Sequence, residues 1–256
     1  MSKIQTAFQQ GKAFIGFVTA GDPSMEKTEE FILAMTASGA DLIEIGIPFS
    51  DPIAEGAVIQ QANIRALAAG AKLSGIFSLT EKLRGKIKTP IVYLTYLNPV
   101  FHFGYEQFFK RCAETGADGI IIPDLPFEEQ PEARTAARSH GIDVISLIAP
   151  TSEQRIQSIA GSAEGFLYVV SSMGVTGIRR NIETDLDAIV KAARVTAKVP
   201  IAVGFGINTP AQAAEIARFA DGVIVGSALV KIIAEYQNSA APHLAEYVGK
   251  MKKAIS

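Results

Sequence analysis

A chain of 256 residues with 24 Lys and Arg against 26 Asp and Glu carries a formal net charge of −2. That balance gives no sequence-wide basic field for nucleic acid, and no dense Lys/Arg block supplies a local one. No segment holds the roughly 20 unbroken apolar residues needed to cross a bilayer, and the opening MSKIQTAFQQGK lacks the apolar core of a signal peptide, so a cytoplasmic protein with no membrane role is expected.

The first ten residues place Ile4 and Phe8 one helical turn apart, which predicts a short capping helix with a structural role. Eight short β-branched runs follow: AFIGFVT (13–19), LIEIGI (42–47), PIVYLTY (90–96), GIIIPD (119–124), DVISLIA (143–149), GFLYVVS (165–171), PIAVGF (200–205) and GVIVGS (222–227). An Ala-rich amphipathic stretch follows each, the pattern of parallel strands joined by helical crossovers. Eight such units predict a closed (β/α)8 TIM barrel, and with no Ser/Gly linker or low-complexity tract the expectation is one domain over residues 1–256. Helix boundaries are signalled by Ser24 or Asp22 as N-caps, by glycine in ASGAD and ETGAD as stops, and by Pro131 and Pro210 in first turns. Residues 57–88 hold enough chain for two helices between the second and third strands, and residues 171–183 form a long glycine-containing loop after the sixth. Long loops at strand ends are where barrels keep their chemistry. The single cysteine, Cys112 in FFKRCAETG, reads as part of a helix packing face.

The most informative stretch is EIGIPFSDPIAEG, residues 44–56. Side chains alternate along a strand, so Leu42, Glu44 and Gly46 share one face and Ile43, Ile45 and Ile47 the other. The isoleucines meet helices and Glu44 projects into the barrel, where desolvation disfavours its ionised form and moves its pKa toward the range of a general acid or base. A buried acid paired with a core partner is the bland alternative. The loops after the sixth, seventh and eighth strands read SSMGVTG, GFGI and GSALVKII, each with glycine where backbone must turn or approach a ligand. In barrels, the loops after the seventh and eighth strands, with the start of a short extra helix, commonly bind phosphate through free amides and the helix dipole. Gly177, Gly206, Gly226 and Ser227 are the candidates, with Phe205 beside them, and a phosphorylated small molecule is the expected substrate class.

With these motifs in order, and with FVTAGDP (17–23), YLNPVFHFG (96–104), DGIIIPDLPFEE (118–129), GVTG (174–177) and DGVIVGSALV (221–230), the chain resembles the tryptophan synthase α subunit family along nearly its whole length. The resemblance implies a carbon–carbon lyase of tryptophan biosynthesis that splits indole-3-glycerol phosphate into indole and glyceraldehyde 3-phosphate. It implies no cofactor or metal in this chain and a pyridoxal-phosphate-dependent β subunit as partner, two α with two β chains, receiving the indole through a tunnel. By the same match Glu44 protonates ring carbon C3 and accepts the side-chain hydroxyl proton, while Glu55 accepts the ring N–H. Phe17, Leu94 and Tyr168 match positions around the indole ring, Thr176 a residue closing the site over the second carboxylate, and Asp51 and Asp124 positions of subunit communication. As loop residues these aspartates could equally be caps. Phe17 and Leu94 could be core filler, Tyr96 could pack beside the loop after the third strand, and Arg179 and Arg180 could face water. One departure stands out: where the family commonly reads ADGP this chain reads AEGA, so Glu55 replaces aspartate and Ala57 proline.

Other chemistries fit less well. None of the eight strand segments carries the lysine of a Schiff-base aldolase, and His102, His140 and His243 are too scattered for a metal-dependent one. A sugar-phosphate isomerase or epimerase with similar phosphate loops, a catalytically weakened α-like subunit that only activates a β partner, and a stand-alone lyase releasing free indole remain the alternatives.

Overall fold

In the computed structural model, which describes residues 2–170, 185–204 and 206–256, the eight predicted runs form eight parallel strands closed into a barrel in chain order. They are β1 (Ala13–Thr19), β2 (Leu42–Gly46), β3 (Ile91–Leu94), β4 (Gly119–Ile121), β5 (Asp143–Ile148), β6 (Leu167–Val170), β7 (Ile201–Gly204) and β8 (Gly222–Val225). Most are shorter than their apolar runs, because backbone bonding continues past the regular ladder as isolated bonds, Ile47 N–H to Leu94 O and Thr95 N–H to Ile121 O among them. β1 pairs with β2 and β8, and Phe17, Glu44 and Val92 stand side by side across three strands.

The two faces of β2 sort as alternation requires. Ile43, Ile45 and Ile47 belong to the large apolar layer between barrel and helices, whereas Leu42 joins Ile15, Val92, Ile121, Ile145 and Ile224 in the barrel interior. Eleven α-helices lie among the described residues. The stretch between β2 and β3 holds two, α2 (Ala57–Ala68) and α3 (Leu73–Arg84), as its length predicts. Two further pairs exceed the simple repeat: α4 (Leu97–Phe103) with α5 (Tyr105–Thr115), split at Gly104 with φ 88°, and α10 (Ser227–Tyr236) with the terminal α11 (Ala241–Ile255). The remaining helices are α1 (Met25–Ala37), α6 (Gln130–Ser139), α7 (Glu153–Gly161), α8 (Leu186–Arg194) and α9 (Pro210–Ala217). Of the two cap candidates for α1, Ser24 takes the role by accepting from Lys27 N–H at 3.2 Å. Asp22 instead forms a two-bond pair with Arg65 of α2, at 2.9 and 2.7 Å.

The mouth at the strands' N-terminal ends is shut by the predicted element, a single 3-10 helix over Ile4–Phe8. Ile4 is fully buried, and its Cδ1 lies 2.7 Å from where a Cβ on Gly119 would stand and 3.2 Å from one on Gly165. These two glycines leave the groove that the plug fills. At the same end, three aspartates that follow helix stops each accept a backbone N–H from a neighbouring strand: Asp41 from Phe14, Asp118 from Ile91 and Asp221 from Ile201, at 2.7 to 2.9 Å. Their second partners are Lys252, Arg84 and Arg194. Each carboxylate, bonded to a strand N–H and to a basic side chain, ties helix stop to strand start, so this end is fastened and the other is left for chemistry.

Candidate active site

At the C-terminal mouth a pocket open to solvent is lined by residues of β1, β2, β3, β5, β6 and β8 and of the loops and helix starts beyond them. Glu44, directed inward by the alternation of β2, forms part of its floor and is only 1 % exposed. Its Oε1 has no hydrogen-bond partner among the described residues, and burial pushes its pKa up to about 8. Glu44 is thus a buried acid on the pocket wall whose environment favours its protonated form near neutrality.

Glu55 enters from the loop between β2 and α2 and lines the same pocket, 8 % exposed. Its Oε2 accepts a 2.6 Å bond from the Asn63 side-chain amide of α2. Burial pushes its pKa up to about 7, the Asn63 bond opposing the rise. Two more bonds fasten the loop: Gln60 Nε2 donates to the Glu55 carbonyl at 2.8 Å, and the Tyr96 hydroxyl accepts from Ala54 N–H at 2.9 Å. Tyr96 thus does more than pack beside the strand; its phenol, buried and near the Glu55 carboxylate, is pushed upward in pKa. Burial and Glu44's charge hold the Tyr168 phenol well above its ordinary range.

Phe17, Leu94 and Tyr168 all line the pocket, as do Ile59, Leu147 and Ile224. Two glycines leave room for the aromatic walls. A Cβ on Gly46 would stand 2.6 Å from Phe17 Cζ, and one on Gly204 would stand 2.5 Å from the Tyr168 hydroxyl oxygen. At the far wall Gly206, with φ 83°, and Gly226 with Ser227 at the start of α10 reach the same cavity. The first N–H groups of a ten-residue helix have no intrahelical acceptors, so the start of α10 offers donors and a positive dipole end to an anion. Thr176, Gly177, Arg179, Arg180 and Phe205 lie outside the described residues.

The family profile described as tryptophan synthase alpha chain matches residues 4–256. The chain belongs to the tryptophan synthase alpha chain family. Its reaction is the carbon–carbon lyase step of tryptophan biosynthesis, cleavage of indole-3-glycerol phosphate. The tryptophan synthase alpha chain of Lactiplantibacillus plantarum is 48 % identical over 256 residues, covering 100 % of this chain and 97 % of that one. That of Lacticaseibacillus casei is 46 % identical, covering 100 % and 96 %. Among solved structures, tryptophan synthase subunit alpha from Legionella pneumophila superposes with a TM-score of 0.91 at 37 % identity, covering 100 % of this chain and 98 % of that chain. A chain of the tryptophan synthase a2b2 complex of Pyrococcus furiosus does so at 0.88 and 37 %, covering 94 % and 98 %.

Within this tryptophan synthase alpha chain fold, the two aspartates matched to subunit communication sit differently. Asp51 is exposed in the loop after β2, bonded to the Ser50 hydroxyl, whereas Asp124 accepts the Leu97 N–H at 2.8 Å and so caps the start of α4. Cys112 is buried on the packing face of α5, its thiol pushed up by desolvation. His140 bonds Glu106 at 2.6 Å across a helix surface. Among the described residues no group of three or more His, Cys, Asp or Glu could hold a metal, and no helix is long and apolar enough to cross a membrane. Sequence reasoning missed Asn63 and Gln60. The QQANIRA run of α2 (60–66) contained the signal, a polar residue at 63 on the same helical stripe as Ile59, Ala62 and Ala66.

Proposed function

We propose that Glu44 is the general acid and base of indole-3-glycerol phosphate cleavage and Glu55 the acceptor of the indole N–H. The carrying observation is Glu44 itself, buried, unpartnered at Oε1 among the described residues, and sharing one pocket with a second carboxylate and the start of α10. Glu44 is mostly protonated near neutrality and Glu55 about half ionised, the division of labour that two environments impose on two like groups. Glu44 donates its proton to ring carbon C3, and the positive charge that appears on the ring nitrogen is met by the Glu55 carboxylate. Glu44, now ionised, takes the proton from the side-chain hydroxyl as the carbon–carbon bond breaks. The electrons of that bond return to the ring, indole and the aldehyde of glyceraldehyde 3-phosphate form, and Glu44 ends protonated as it began.

Phe17, Leu94 and Tyr168 hold the indole ring, and Gly206, Gly226 and Ser227, with Phe205, Gly177 and Thr176, serve the phosphate and the closure of the site. Residues 1–256 act as one domain, in the cytoplasm, with no cofactor of their own. A tryptophan synthase β subunit carrying pyridoxal phosphate is the partner, two α with two β chains, and Asp51 and Asp124 serve communication with it. Support for that partner is the likeness to a chain of the Pyrococcus furiosus a2b2 complex. The test is indole release by the isolated chain. Glu44→Gln, nearly isosteric, should abolish it while leaving the circular-dichroism spectrum unchanged, and retained turnover refutes the assignment. Addition of a β subunit should raise the wild-type rate.

A further inference from the structure

We propose that Asn63 is a positioning residue for the lyase reaction, holding the Glu55 carboxylate charged and aimed at the ring nitrogen. The inference rests on the reading of Glu55 given above. Glu55 has one more rotatable bond than an aspartate, and a flexible acid in a pocket wall needs an external constraint to present one oxygen consistently. The constraint is visible. Asn63 sits eight residues on, on the buried stripe of α2, 3 % exposed, and its Nδ2 donates to Glu55 Oε2 at 2.6 Å. Asn63 is itself fixed, because its helix is tied to the loop after β1 by the two-bond Asp22–Arg65 pair. With Oε2 occupied, Oε1 is the oxygen left to receive the substrate.

The amide is suited to this task in a way that aspartate, leucine or alanine is not. An N–H donor stabilises the ionised carboxylate without adding a charge of its own, and a bond to a charged group in a dry setting is among the stronger ones. The ionisable groups around Glu55 provide no such help. Glu44 on β2 and the phenols of Tyr96 and Tyr168 carry no positive charge to offer, Asp51 on the same loop is exposed, and Arg65 on α2 is committed to Asp22. Among the described residues, Asn63 is therefore the group within hydrogen-bond reach that favours the anion. Gln60, which bonds the Glu55 carbonyl, holds the backbone and not the charge.

The experiment follows the Glu55 side-chain carboxyl by carbon-13 NMR against pH in the free enzyme, assigned by its loss in Glu55→Gln, alongside kcat and KM profiles. Asn63→Leu should move the Glu55 titration upward by about one pH unit and lower kcat near pH 7 roughly tenfold, the loss falling on kcat more than KM because the bond to the ring N–H strengthens as charge develops there. Its acid limb should move toward the basic limb, narrowing the profile. Asn63→Ser carries the same expectation in smaller degree and serves if the leucine variant does not fold. Gln60→Ala should leave the Glu55 titration in place. An unmoved titration in the Asn63 variants overturns the proposal, and a purely structural role would produce that result. An unchanged kcat in Glu55→Gln overturns instead the reading of Glu55 on which it rests.

Discussion

The burial that equips Glu44 for proton transfer should cost the fold stability, and Glu44→Gln measures how much. In the unfolded chain the carboxyl titrates near 4.5, and in the folded protein near 8. The folded state therefore binds this proton more tightly than the unfolded state. The resulting stability is fully present below about pH 4.5 and is lost as pH rises toward 8, because only the unfolded chain can ionise freely. At about 1.4 kcal/mol per pH unit the loss has an upper bound of about 5 kcal/mol across that window, and about 3 kcal/mol between pH 5.5 and 8. Glutamine cannot ionise and escapes the loss, while keeping nearly the same volume in the pocket floor. Urea unfolding of both proteins at intervals from pH 5.5 to 8, followed by tyrosine fluorescence, should show the variant gaining on wild type by a few kcal/mol as pH rises, with m-values alike. Indole release should meanwhile vanish. A stability difference that stays flat with pH would mean that Glu44 is not held protonated by burial, and the acid role would fall with it.

The other expectations are more local. The pH dependence of kcat/KM should be bell-shaped, with activity rising through about 7 as Glu55 ionises and falling through about 8 as Glu44 loses its proton; an acid limb near 4.5 would contradict the burial of Glu55. Gly46→Ala should drive the Phe17 ring into the pocket, since the new Cβ would stand 2.6 Å from Cζ, and raise KM roughly tenfold, with Phe17→Leu in the same chain restoring part of it; an unaltered KM would place the indole elsewhere. Ile4→Ala should cost about 2–5 kcal/mol of stability at the closed mouth and leave kcat unchanged at temperatures where the protein stays folded, and a selective loss of kcat would refute the division between a fastened end and a reactive end.

Much of this barrel is visible in one dimension because its periodicities are local. Each β-branched run bounded by glycine or proline became a strand, and Glu44 could be assigned an inward direction from its two isoleucine neighbours alone. The chain length between β2 and β3 announced two helices for the same reason. Strand ends were less visible, since the ladder stops where neighbouring strands diverge and not where apolar residues cease. The break between α4 and α5 turns on Gly104, whose left-handed backbone is one of several conformations a glycine allows.

Residue types and their alternation thus settle which side chains face the barrel axis and which face the helices, because both follow from the geometry of a single strand or helix. What meets at the mouth was decided by closure. Joining β8 to β1 brings α10 over the same cavity as Glu44, and the phase of α2 against the barrel delivers Asn63 to Glu55 and Arg65 to Asp22. Those contacts depend on the packing of elements far apart along the chain, and so do the degree of desolvation and the proton affinity of each carboxylate.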